Sequence, residues 1–389
     1  MTNSIITFFP VGDKNGGMTL IRLDDTHKTV ILIDVCIGPE PIADHCDVAQ
    51  ELRDRLPRDS EDRPYVDAFI LTHRHQDHLQ GIQTHFHLGA LSNYPKPKDG
   101  EDEKIIIREL WSSYHFWKQA SENYDLCDDA KAFNREMKRR VELYKSAKTI
   151  QGEGERAIVI GIDPEEKCAG LESITHEIGD EFSTVNNRSI SPKMKGVILG
   201  PLYKQEEEED DTFNDKNRQS IVLQLMIKEG GYNNQVLLAA DAECFVWETL
   251  WSSYKGDKEK IKYDILQAPH HCSWHSLSYD SQSKDDDPQV STDAKKALSQ
   301  AKSGAAIVSQ SKIIKDDDND PPSKAAKDEY LTIVPKNRFY CTNEYPSREK
   351  PEPLEFNLTS SGPQEKSRKE KSKLSVAALA STKESYPHG

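Results

Sequence analysis

The chain has 389 residues, with 66 acidic against 51 basic side chains and a formal charge of −15. That balance disfavours sequence-independent binding along a nucleic-acid duplex, which depends on Lys and Arg neutralising phosphates, although a local site can still hold one phosphate. The seven cysteines (Cys36, Cys46, Cys127, Cys168, Cys244, Cys272, Cys341) are odd in number, scattered, and form no Cys-x-x-Cys pair, which argues against a disulfide framework and a zinc ribbon. The run Ile5–Phe9 before Pro10 is too short for a secretion signal and no stretch is long enough to span a bilayer, so the expectation is a cytoplasmic protein without a membrane partner.

Ile5–Phe9 and Met18–Leu23 are β-type runs around the turn-rich Val11–Gly17, which predicts a hairpin. Thr29–Ile33 is a third strand ending at Asp34, an acid placed either to accept backbone N–H groups of a neighbouring loop or to cap a helix. A helix is expected over Ala43–Leu56. The apolar run Ala68–Leu71 then leads into Thr72-His73-Arg74-His75-Gln76-Asp77-His78. Three imidazoles and a carboxylate within six residues, held by a buried strand, are a rigid supply of metal ligands for one or two ions.

Leu79–Leu88 reads as a helix, with His85 and His87 on its surface because residues i and i+2 do not share a helix face. From about Leu110 to Lys148 the pattern is long, charged and helical, and its aromatic stripe (Trp111, Tyr114, Trp117, Tyr124, Phe133, Tyr144) suits packing; residues 101–155 are expected to be a helical insertion. Strands follow at Arg156–Ile160, Gly196–Leu199, Ser220–Ile227, Gln235–Ala240, Tyr263–Gln267 and Ala305–Ser309. The acidic run Glu206–Asp211 is expected to be a solvated loop. Residues 1–357 are expected to form one domain and 358–389 a disordered polar tail.

Three separated strands thus deliver metal-type residues at their ends: His73, His75, Asp77 and His78; then Asp241; then His270. A carboxylate such as Asp241 can bridge two cations at short separation. On these residues the sequence resembles the metallo-β-lactamase-fold hydrolases, whose first metal motif has the His-x-His-x-Asp-His form. It is most similar to the subgroup containing the hydrolase-like domain of the ComEC competence DNA-uptake proteins. The order of Val11-Gly12, Asp34, Asn217 with Ser220, Ala240-Asp241 and His270-His271-Cys272-Ser273 carries that resemblance over residues 5 to about 345, with about 101–155 lying outside it. Ala240 and Cys272 depart from the family's Gly, Asp320-Pro321-Pro322 stands for its Gly-His-Pro, and Leu199-Gly200-Pro201 lacks the His that often completes the first metal site.

The resemblance implies a four-layer αββα sandwich holding two Zn²⁺ ions, with Mn²⁺ as the alternative. His73 and His75 would bind one metal, Asp77, His78 and His270 the other, and Asp241 both. Asp77 and His271 would handle protons, supported by Asp34, Asn217, Ser220 and Ser273, with His271 and Ser273 beside the substrate. The expected activity is a phosphodiesterase or nuclease acting on nucleic acid or nucleotides through a metal-bound hydroxide. The alternatives are a lactonase or thioesterase, and a catalytically reduced metal-binding sensing module in a multiprotein assembly such as a defence system. In that last case the insertion or the tail segment Lys366–Lys373 would dock a protein partner.

Overall fold

A computed structural model describes residues 3–38, 46–96, 102–114, 116, 126–161, 170–202, 217 and 219–366. It shows a mixed α/β protein built on two large sheets. The first sheet runs Thr175–His176, Arg156–Ile160, Ile105–Ser113, Tyr65–Leu71, Val30–Ile33, Thr19–Arg22, Ile5–Phe8, Leu354–Thr359 and Gly362–Glu365, with Phe86–His87 also paired to Ile105–Ser113. The second runs Glu181–Phe182, Met194–Ile198, Leu223–Glu229, Tyr232–Leu238, Tyr263–Gln267, Ala301–Ser309 and Phe339–Cys341.

Alternation along the strands sorts the apolar side chains into three cores. Val30 and Leu32 join Phe69, Phe133 and Met137 on the outer face of the first sheet, against the helix Asp128–Ala147. Ile31 and Ile33 face Leu223, Leu225, Val236 and Ile265 between the sheets. Leu237 and Leu266 pack outward with Trp247, Leu298 and Tyr330, from the helices Cys244–Tyr254, Thr292–Leu298 and Lys324–Leu331. Two sheets are thus packed face to face and covered by helices, an α/β sandwich.

Several expectations need correcting. The described part of residues 101–155 is not a helical insertion: Ile105–Ser113 is a central strand, parallel to Tyr65–Leu71 on one side and Arg156–Ile160 on the other. Its charged residues are paired, Arg108 with Asp67 at 3.1 Å and Glu109 with the Trp111 indole N–H at 2.8 Å, so a buried strand tolerates them. The true helix begins at Asp128 and buries Phe133, Met137 and Tyr144 as packing residues; Trp117 and Tyr124 lie outside the described residues. Leu79–Leu88 splits into Leu79–Gln80, a single turn at Ile82–His85, and Phe86–His87, because Gly81 takes φ of 92°. The expected Ala43–Leu56 helix is a short one over Val48–Arg53.

The folded part also runs past residue 357. Leu354, Phe356 and Leu358 alternate into the core between the sheets, and Ile5 pairs with Asn357. The described chain ends at Lys366; the rest of the expected tail and the run Glu206–Asp211 lie outside the described residues. The six described cysteines are free, and no described helix is long and apolar enough to cross a membrane.

Candidate metal centre

In each sheet the strands that carry chemistry are parallel, so their carboxyl ends lie together, where open α/β sheets place their ligands. Val30–Ile33 beside Tyr65–Leu71 delivers Asp34 and the His73 loop; Tyr232–Leu238, Tyr263–Gln267 and Ala301–Ser309 deliver Asp241, the His270 turn and Gln310. The sheets are tied at this edge. Ile221 N–H donates to Thr72 O (2.9 Å), Gln310 donates its amide to Met18 O (2.6 Å), and Gln310 Oε1 accepts from Thr19 (3.0 Å).

Asp241 sits at the middle, with 1% of its surface exposed. Its Oδ1 lies 3.2 Å from His78 Nε2 and 3.4 Å from His271 Nε2; its Oδ2 lies 3.2 Å from His73 Nε2, 3.8 Å from His270 Nε2 and 4.0 Å from His75 Nδ1. His271 Nε2 is also 3.1 Å from Asp77 Oδ2. Two sets of donor atoms are close enough for an ion: Asp77, His78, Asp241 and His271, and His73, His75 and Asp241. Five of the six expected ligands fall into these sets. His271, expected to handle protons, takes the place expected of His270.

Partners on the far side of each ring fix the tautomers. His78 Nδ1 is 2.7 Å from Asp34 Oδ2 and His271 Nδ1 is 2.9 Å from the Gln310 carbonyl. An ionised carboxylate and a carbonyl only accept, so both Nδ1 atoms carry a proton, and each Nε2 presents a lone pair once its imidazole is neutral. Those two Nε2 atoms are 3.2 Å apart. Thr72 donates its hydroxyl to Asp34 (2.5 Å), which leaves its oxygen to accept from His73 Nδ1 at 3.3 Å and turns the His73 Nε2 lone pair toward Asp241. Among the described residues, His73 Nε2 and Asp241 Oδ1 are buried without a hydrogen bond. Converging lone pairs and orphaned buried acceptors fit a divalent cation, and imidazole with carboxylate suits a transition metal.

The electrostatics agree. Burial would raise the Asp241 carboxyl, but the imidazoles of His271, His73 and His78 outweigh it and hold the group well below the usual carboxylate range. Burial works against a charged His78, but Asp241 and Asp34 overcome it and push its pKa well above the ordinary value. His271 rises to about 9 by the same contest between burial and Asp241. His73 is driven down to about 3 by burial and the neighbouring His78. The metal-free cluster therefore keeps its anion by holding protons that a cation displaces.

The backbone is strained around this cluster. Asp34, Ala240, His270, His271 and Cys272 all have φ between 47° and 69°, a region that costs non-glycine residues about 1–3 kcal/mol each. Ala240 and Cys272, where the resemblance leads one to expect glycine, thus hold a backbone conformation that favours glycine. Gly17 is needed for close approach, since a Cβ there would stand 2.7 Å from His78 Nδ1.

Asp34 is the loop-orienting acid, accepting also from Thr72 N–H at 2.7 Å. Asn217 donates to Glu243 at 2.7 Å. Ser220 is buried and its N–H donates to Asn217 O. Ser273 does not face a substrate: it is fully buried and its hydroxyl accepts from His275 N–H, capping a short turn. Cys272 lies in the outer core with its thiol against Ser323 O, a packing residue. His85 is beside Arg53 at 3.2 Å and His87, buried, is 3.0 Å from Ala90 O; neither enters the cluster. A cavity of about 460 Å³ lined by Val11, Lys14, Cys36, Gln80 and His85 contains none of the clustered ligands.

Thr72, Glu243 and Gln310 escaped the sequence reading. Each has a signal, since Thr72 precedes His73, Glu243 follows Asp241 by two residues, and Gln310 continues the Ala301–Ser309 strand to the shared edge.

No family model matches the chain, and no curated protein matches it. Among solved structures it is similar to unliganded yeast PDE1, with a TM-score of 0.40 and 10% identity over 88% of this chain and 96% of that one. It is also similar to a protein of unknown function from Enterococcus faecalis V583, with a TM-score of 0.29 and 12% identity over 77% of this chain and 56% of the other.

Proposed function

We propose that the protein is a metal-dependent hydrolase of the four-layer αββα metallo-β-lactamase type, cleaving a phosphodiester in a nucleic acid or nucleotide. The observation that carries the metal reading is the pair His78 and His271, whose Nε2 lone pairs meet at 3.2 Å while both Nδ1 atoms are committed to acceptors. Repulsion between two such lone pairs is removed only by a proton or a cation between them. Asp77, His78, Asp241 and His271 would hold one ion and His73, His75 and Asp241 the other, Zn²⁺ fitting the donors and Mn²⁺ being the alternative. Two such cations supply positive charge for the oxygens of a phosphoryl transition state and acidify water.

The chain's own groups do the rest. Asp34 and the Gln310 carbonyl hold two imidazoles in the ligating tautomer. Asp77 is one-third exposed; burial would raise its carboxyl, but the His271 hydrogen bond and the His78 charge outweigh this and keep it anionic. With both His271 nitrogens committed, Asp77 would take the proton of the attacking water on its free oxygen and pass it to solvent. The phosphodiester assignment is supported by the order of the sequence motifs shared with the ComEC-type subgroup.

The test combines metal analysis with substrate profiling. Protein purified without chelator and dialysed against Zn²⁺ or Mn²⁺ should hold close to two equivalents and cleave single-stranded DNA, RNA or a cyclic nucleotide. Less than half an equivalent would end the metal reading. Turnover of a lactone or thioester alone would keep the site and replace the substrate class.

A further inference from the structure

We infer that the cavity under the loop Val11–Gly17 receives the base of a single nucleotide, met at its edge by His85 and Gln80; for the chemistry of its ligand the inference rests on the hydrolase reading above. The cavity holds about 460 Å³, a size typical of small-molecule pockets. Val11, Ile37, Val48 and Pro351 give it apolar walls, which suit the faces of a flat ring. Two polar groups set among those walls have no partner of their own.

The first is a donor. Arg53 donates from Nη2 to His85 Nδ1 at 3.2 Å, and a guanidinium never accepts, so the imidazole is neutral with its proton on Nε2. Burial and the Arg53 charge act in the same direction, bringing the His85 pKa down to about 4. The Nε2 atom is buried, and among the described residues nothing accepts from it. A buried N–H costs free energy until an acceptor arrives, and His85 lines the cavity. The second is an amide. The Gln80 carbonyl accepts from Ile37 N–H at 3.0 Å, but its side chain makes no hydrogen bond among the described residues. An amide carries a donor beside an acceptor, which matches the paired groups along a base edge.

The cavity adjoins the metal centre. Gln80 follows His78 by two residues and Cys36 follows Asp34 by two, and both line the cavity. Gly16 lies between Cys36 and the ligand loop, since a Cβ there would stand 2.5 Å from Cys36 Sγ and 2.8 Å from Asp77 O. Lys14, exposed on the same loop, also lines the cavity and makes no ion pair among the described residues, so it is available to a phosphate. Charge favours one nucleotide over a strand. Asp13, Asp47 and Asp102 outnumber Lys14 in the lining, and the chain carries −15 overall, so a run of phosphates would be repelled where a neutral base is not.

Calorimetric titration of the full chain with adenosine, guanosine, cytidine and uridine, run with Zn²⁺ and again in chelator, tests the pocket without reference to turnover. At least one nucleoside should bind saturably, and equally in both conditions, because the cavity contains none of the clustered ligands. Gln80→Leu breaks no described side-chain hydrogen bond, so it should stay folded, keep the wild-type Zn²⁺ content and weaken nucleoside binding about tenfold, as the loss of one hydrogen bond does. His85→Ala should weaken it to a similar extent; if that variant does not fold, Gln80→Leu decides the point. No saturable binding, binding only with Zn²⁺, or binding indifferent to Gln80→Leu would overturn this inference and leave the hydrolase reading standing. Nucleoside binding that Gln80→Leu weakens, in a protein that cleaves no phosphodiester, would uphold the pocket and overturn the hydrolase reading.

Discussion

Two clusters of buried charge in this protein are built on different plans. Around Glu355, which is 2% exposed, every charge has a counterpart: its carboxylate accepts from Arg22 and Arg55 at 2.9 Å, Lys366 at 3.1 Å and Thr7 at 3.3 Å. Around Asp241, equally buried, imidazoles converge on one another and His73 Nε2, Asp241 Oδ1 and His270 Nδ1 make no hydrogen bond among the described residues. A buried charge is tolerated when it is paired and fully hydrogen-bonded, and is costly otherwise. The first cluster pairs its charges within the chain, although Arg22 Nε makes no hydrogen bond among the described residues, and it ties the strand Leu354–Thr359 to the rest of its sheet. On the proposed function the second is completed by a bound cation, so removing the central acid should have opposite signatures in the two places.

The largest effect is expected at Asp241. Asp241→Asn keeps the shape but removes the charge that both cation sites share, so Zn²⁺ content should fall toward zero and phosphodiester cleavage to background. Chelation should lower the melting temperature of wild type and leave that of Asp241→Asn unchanged, since only a metal-binding chain is stabilised by metal. A variant that keeps two equivalents would mean Asp241 is an ordinary buried acid, like Glu355.

Glu355→Ala should show the reverse. It leaves Arg22 and Arg55 without their main partner, and breaking a buried pair from one side costs roughly 3–5 kcal/mol. Arg55 keeps its contact with Glu51 and the Arg22 side chain is 26% exposed, which puts the expected loss at the lower end of that range. Urea unfolding measures it, and the loss should be the same with and without chelator. A chelator-dependent loss would blur the contrast between the clusters.

A smaller effect separates a ligand from its support. Asp34→Asn should preserve the fold yet weaken Zn²⁺ binding at the His78 site about 10–100-fold, because an amide can turn its donor toward His78 Nδ1 and spoil the tautomer. Unchanged affinity would show that Asp34 only closes the loop through Thr72.

The same contrast explains what the sequence could and could not show. Asp34, His73, His75, His78 and Asp241 were legible because each stands at or just after the end of an apolar run, where a rigid strand meets a loop. The choice between His270 and His271 was not, since it depends on left-handed backbone at adjacent residues, and no local pattern encodes which ring turns which way. Ile105–Ser113 was hidden by Arg108 and Glu109, whose partners Asp67 and Asn186 come from distant segments. The hairpin Leu354–Glu365 was missed because it pairs with Ile5–Phe8 from the other end of the chain, and only that pairing makes Glu355 a buried residue. Metal-type residues announce themselves by type and spacing; an ion pair assembled across three hundred residues does not.

The smallest expected effect follows from the Glu355 carboxyl, which burial would raise but which Arg55 and Arg22 pull down from 4.5 to about 2. Between those two values the unfolded chain takes up a proton that the folded chain refuses, so stability must fall as pH falls through this window. The contribution is complete above pH 4.5 and lost as pH drops through 2. Screening through the partly exposed Arg22 side chain reduces the amount, leaving about 1 kcal/mol of Glu355-dependent loss between pH 4.5 and 3. Glu355→Gln has no proton to take up, so its stability should decline less steeply than that of wild type across this range, and the gap between the two proteins should narrow as the solution is acidified. Both are compared by urea unfolding in chelator, which removes any metal contribution from the Asp241 cluster. A gap that stays constant from pH 6 to pH 3 would mean that the arginines do not hold Glu355 in its anionic form, and that the cluster taken here as charge-paired is held by packing.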